Sequence, residues 1–130
     1  MPVYKYVVCQ RQYDMPDEIV LQLSHKDVFL EYARNLKNEV LALRSGDALL
    51  YKGDVFYDVK TNKPVAQVSA RMKATISYWE EKGYVVRSAS VRFIVAWRPK
   101  NAKRSEPEIP VVLADMVLER KRDVDIQESM

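Results

Sequence analysis

The sequence predicts an α+β domain: a mostly antiparallel sheet or partly open small barrel of about six to eight strands, with one or two packed helices. Three observations carry this expectation. Short β-branched and aromatic runs recur between turn residues. Two stretches space apolar residues as a helix does. The chain then closes on GYVVRSASVRFIVAWRPKNAKRSEPEIPVVLADMVLERK, from Gly83 to Lys121, two apolar runs joined by a polar loop.

Taken in order, Val3–Gln10 reads as a strand, with Tyr4, Tyr6 and Val8 on one face. Pro16 disfavours helix at the residue before it and suits a turn. From Glu18 to Leu23, Ile19, Leu21 and Leu23 alternate with Glu18, Val20 and Gln22, the period of a half-buried strand. Ser24 suits a helix N-cap, and Asp27 adds negative charge to the first turn. Phe29, Ala33, Leu36, Val40 and Leu43 then follow at spacings of four, three, four and three, one side of an amphipathic helix. The stretch from Val40 also permits a turn into strand.

Ser45-Gly46-Asp47 marks a turn. Ala48–Lys52 and Val55–Val59 read as short strands joined by Gly53-Asp54, and a turn at Thr61 to Pro64 leads into Val65–Val68. This spacing of turns suggests a meander or partly closed barrel. Ser69 caps a second helix that runs to about Lys82 and stops at Gly83. Met72, Ile76 and Trp79 are placed toward the core, with Arg71, Lys73, Glu80 and Glu81 toward water.

At 130 residues the chain has the size of one domain with one core. Residues 1–122 are expected to form it, and 123–130 to be a frayed acidic tail. With 48% hydrophobic and 30% charged residues, wholesale disorder is not expected. No apolar run approaches the roughly 18 residues that cross a bilayer, and the N-terminal stretch lacks the features of a secretory signal. Cys9 is the only cysteine, which excludes an internal disulfide and fits a reducing compartment, so a cytoplasmic location is expected.

Groups for catalysis are scarce. His25 is the only histidine, so a metal site built on two histidines is excluded within one chain. Its place at a helix start fits an exposed or capping side chain. Cys9 in an apolar strand behaves as a small hydrophobe. Glu80 and Glu81 are neighbours on a helix and diverge by about 100°. Asp115 has apolar neighbours, and the segment around it reads as a bulge or strand end where Asp bonds backbone amides. No glycine-rich phosphate loop exists. An enzyme would require His25, Cys9 or Asp115 to converge; the expectation is a non-catalytic chain without cofactor or metal.

Binding surfaces remain. The net charge of +3 does not by itself identify a nucleic-acid binder, but Arg98 to Arg104 carries +4 and Asp123 to Glu128 carries −3. Arg98, Lys100, Lys103 and Arg104 are therefore candidate phosphate contacts, with Lys60, Lys63, Arg71 and Lys73 as secondary candidates. Tyr51, Tyr57 and Tyr78 offer stacking surface. Trp97 continues the Val91, Phe93, Val95 face and is expected in the core, as is Trp79. The competing expectation is a protein-docking module that adds a strand along Val3–Val8 or Val111–Leu118.

KDVFLEYARNLKNEVLALRSGDAL, PVAQVSARMKATISYWEEKGYVVRSASVRFIVAWRPK and PVVLADMVLER together resemble the C-terminal accessory region of RecQ-type ATP-dependent DNA helicases of Bacteroidetes-like bacteria. The resemblance covers about residues 20 to 120. More distantly, LRSGDALL, then Val65-Ala-Gln-Val-Ser, then a helix ending at Gly83-Tyr84 is similar in layout to HIRAN-type modules, which bind DNA ends. That family's Asn-rich, aspartate-bearing segment is absent, so recognition of an end is not carried over. The helicase motor's phosphate-loop lysine and acidic metal-binding box are also absent. What the resemblance implies is an appendage that engages DNA, single-stranded or tailed duplex, or docks on a helicase core or other subunit.

Overall fold

The computed structural model describes residues 15–100 and 107–121. Six strands form one antiparallel sheet: β1 (Glu18–Gln22), β2 (Ala48–Lys52), β3 (Val55–Asp58), β4 (Pro64–Gln67), β5 (Tyr84–Trp97) and β6 (Ile109–Arg120). Their order across the sheet is β1-β6-β5-β2-β3-β4. The α+β expectation holds, including the antiparallel sheet and its curl. The expected strand Val3–Gln10 and the acidic tail lie outside the described residues.

In β1 the alternation is as expected, with Ile19 and Leu21 half-buried and Glu18, Val20 and Gln22 exposed. Ser24 does cap, and its N–H donates to Asp27 Oδ2 at 2.7 Å. What it caps is only a 3-10 turn, His25–Asp27. The single helix expected from here is broken into α1 (Leu30–Arg34) and α2 (Lys37–Leu41). The cause is the partner across the gap. Val28 bridges Val68 and the Phe29 N–H donates to the Gln67 carbonyl at 2.8 Å, so this backbone is extended and bonded to the edge of β4. The apolar stripe survives as burial: Ala33, Val40 and Leu43 are in the core, while Phe29 is 46% exposed.

This bridge also shows why the sheet curls. Gln22 leaves one edge strand and Val28 meets the other six residues later, a reach of about 21 Å. Across a flat sheet the same journey spans six strand spacings, about 29 Å. β4 and β6 accordingly approach each other, and α1 and α2 contact both, filling the opening of the half-barrel.

β2 and β3 join through Gly53 and Asp54, with φ of 59° and 66°. Two successive positive φ values make the tight turn whose twist suits a hairpin. α3 (Ala70–Glu81) starts at Ser69, whose Oγ accepts from the Met72 N–H, and ends before Gly83 at φ 95°. Met72 and Ile76 are buried, and the Trp79 ring meets Tyr84 edge-on at 5.6 Å between centroids. Tyr84 is fully buried and its hydroxyl donates to the Pro16 carbonyl.

The long hairpin pairs Tyr84 with Arg120 through to Trp97 with Ile109. Register shifts fall between Val86 and Ser88 and between Val91 and Phe93, so Arg87 and Arg92 are extra residues in β5. Each bulge flips the strand's alternation. Phe93, expected on the Val91 face, is therefore 43% exposed, while Trp97 packs half-buried on the core. Asp115 sits in mid-strand opposite Ser90 and Gln22; the bulge expected around it lies across the ladder in β5. β1 pairs with β6 from Asp115 to Glu119, so that part of Val111–Leu118 is no free edge.

Candidate nucleic-acid interface

Ala48 pairs with Ser90 and Leu49 with Ala89, after which β5 runs on to Trp97. Seven residues of strand carry it about 23 Å past the start of β2. The hairpin thus extends beyond β2 at the end of the sheet where β2 begins and β3 finishes, with α2 packed beside it. Arg98 and Lys100 are exposed there. Lys103 and Arg104 lie outside the described residues.

Two turns share this end. In the first, the Gly46 N–H donates to the Val91 carbonyl at 2.7 Å and the Val91 N–H to the Asp47 carbonyl at 2.9 Å, which fastens the turn to β5. Gly46, at φ 93°, supplies the left-handed position this geometry needs. The Asp47 carboxylate accepts from the Arg44 N–H at 2.8 Å and from Lys60 Nζ at 3.3 Å. The Arg44 amide above all holds Asp47 below the usual carboxylate range against the opposing effect of desolvation, and the Lys60 ammonium adds to the lowering.

The second turn joins β3 to β4 and carries Lys60 and Lys63, both exposed. Buried Asp58 organises it: Oδ1 accepts from the Lys60 N–H at 2.9 Å, and its backbone bonds both Asn62 and Lys63. Asn62 takes φ 59°, which asparagine tolerates better than most residues. Arg44 thus joins Lys60 and Lys63 around the root of the hairpin. Sequence reasoning missed Arg44 because it sits in a turn with no charge run. Only the fold, through Asp47, brings it beside Lys60.

Arg71 and Lys73 are elsewhere. Lys73 Nζ is 2.9 Å from Asp54 Oδ2, and Asp54 belongs to the β2–β3 turn at the opposite end of β3 from Lys60. Asp54 also accepts from the Tyr51 hydroxyl at 3.0 Å. Lys73, and then Tyr51, hold its carboxyl below the usual range; partial burial, followed by Asp54, pushes the Tyr51 phenol up. The eight predicted cations are therefore divided: Arg98, Lys100, Lys60 and Lys63 toward the hairpin end, Arg71 and Lys73 at the far end, and Lys103 and Arg104 not described.

Of the groups weighed for catalysis, Cys9 lies outside the described residues. His25 is exposed in the 3-10 turn, and Asp115 faces Arg92 at 3.3 Å. Among the described residues no cluster of three or more His, Cys, Asp and Glu side chains is arranged to hold a metal. No helix there is long and apolar enough to cross a membrane. No protein-family model, curated protein or solved structure matches the chain. What is established is the class of fold, an α+β curled sheet.

Proposed function

We propose that this chain is a non-catalytic accessory domain that binds the phosphate backbone of DNA with the hairpin end of its sheet, serving a cytoplasmic helicase or repair protein. One observation carries the reading: Arg44, Lys60 and Lys63 gather at the root of the hairpin whose tip bears Arg98 and Lys100. Fixed turns hold the backbone of Arg44, Lys60 and Lys63 in place, so only their side chains remain to be ordered when they neutralise phosphates. The resemblance to helicase accessory regions supports the choice of DNA.

The test is a salt-titrated binding assay on single-stranded, duplex and tailed DNA. Five phosphate contacts give a slope of log K against log salt of about −3.5 to −4.5. Replacing Lys100, Lys103 and Arg104 by alanine should flatten that slope. A slope near zero with the unmodified chain refutes the reading.

A protein-docking role has one observation in its favour. Among the described residues β1 pairs only with β6, and Val20 on this edge strand is 50% exposed. An edge of this kind accepts an added strand.

A further inference from the structure

The outer face of the β2–β3 hairpin holds a shallow open groove lined by Leu50, Lys52, Gly53, Tyr57 and Asn62. Leu50 and Tyr57 are direct cross-strand partners, and Leu50 is 50% exposed. On its other side Tyr57 is opposite Pro64 of β4. The ring is therefore flanked by apolar side chains while the side chain stays partly open to solvent. Tyr32 of α1 stands close by: burial first, and then the Tyr57 hydroxyl, push its phenol up.

Charge frames this floor. Lys52 lines one end, and Asn62 at the other sits between exposed Lys60 and Lys63. The nearby acids are engaged, Asp47 with Lys60 and Asp54 with Lys73. Asp58 is buried. An aromatic–aliphatic floor between cations suits a ligand that is flat and apolar on its faces and anionic along its length. Unpaired nucleobases on a phosphate chain have that chemistry, whereas the bases of a duplex are already stacked and closed to such a face.

We infer that the Leu50–Tyr57 groove is a base-stacking subsite for single-stranded nucleic acid, continuous through Lys60 and Lys63 with the phosphate-binding end. It rests on the phosphate-binding function proposed above and names the form of nucleic acid that function prefers. Tyr57 supplies the stacking face, Leu50 the floor beside it, and Lys52 and Lys63 the flanking charges.

The experiment compares a labelled oligothymidylate with a duplex of equal length, by fluorescence anisotropy at fixed salt, using the full chain. Variants are Tyr57→Leu, which keeps apolar bulk but removes the ring, and Tyr57→Phe, which keeps the ring. The unmodified chain should prefer the single strand. Tyr57→Leu should weaken it about tenfold, the worth of one stacked base, leaving duplex affinity and salt slope unchanged. Tyr57→Phe should stay within about twofold. Unchanged single-strand affinity in Tyr57→Leu, or equal losses on both ligands, overturns the groove while a persisting salt slope keeps the phosphate function. No salt-dependent binding to either ligand overturns both. Competition by polyglutamate that depends on Tyr57 and exceeds that of oligothymidylate assigns the groove to an acidic peptide instead.

Discussion

Arg92 Nε stands 3.3 Å from Asp115 Oδ1, and the two atoms are buried without a hydrogen-bond partner. Their alignment makes this a coulombic contact, and the guanidinium satisfies itself elsewhere: Nη2 donates to the Leu23 carbonyl, and the group lies 4.4 Å from the Phe93 ring centroid. One bulged residue thus connects β5 to β6 and to the end of β1. Both side chains are about a quarter exposed, at 26% and 28%, so solvent screens the pair only partly.

Removing one partner should cost more than removing both. Arg92→Met should destabilise by about 1–3 kcal/mol, because Asp115 is stranded and the Leu23 carbonyl loses its donor. Adding Asp115→Leu should recover part of that loss. Urea unfolding of the two single variants and the double variant measures the coupling; strictly additive losses mean the ions do not interact.

At Gly83 the backbone alone sets the price of a side chain. Its φ is 95° and an added Cβ meets nothing within 4 Å. Gly83→Ala should therefore lower stability by about 1 kcal/mol through strain without a clash. The urea midpoint should fall at constant m-value.

Acid should loosen the two turns. Asp47 and Asp54 both have folded pKa values depressed below their unfolded ones. Their contribution is complete above the unfolded value, about 3.9, and is lost as pH falls through the folded values. Stability of the unmodified chain should thus decline below about pH 4, and Asp47→Asn should show a shallower decline there. Identical acid limbs would remove Asp47 from this account.

The division of cations predicts unequal effects on DNA binding. Alanine at Arg44, Lys60 and Lys63 should reduce the magnitude of the salt slope by about 2 to 3. Alanine at Arg71 should leave it unchanged. Lys73→Ala should act on stability through Asp54, by less than about 1 kcal/mol for an exposed pair. An equal loss of slope from Arg71→Ala would mean that binding is spread over both ends.

The strands were legible from sequence where alternation and turn residues agree, as in β1, the β2–β3–β4 meander and the Ser69-to-Gly83 helix. Two features were not. The break at Val28 depends on a partner forty residues away at Val68, and local periodicity carries no trace of it. The bulges at Arg87 and Arg92 add a residue to one strand only, which becomes visible when β6 is aligned opposite. The basic end was half legible: its loop charges form a run, while Arg44 arrives through tertiary contact with Asp47.

The pairing of Glu18 with Glu119 makes the first described strand wait for the last. β6 occupies the place between β1 and β5, so among the described strands β1 has no neighbour until Ile109–Arg120 has been made. Such non-local closure slows folding and exposes apolar strands meanwhile. A chain cut before Ile109 should therefore fail as a unit instead of surviving as a smaller domain.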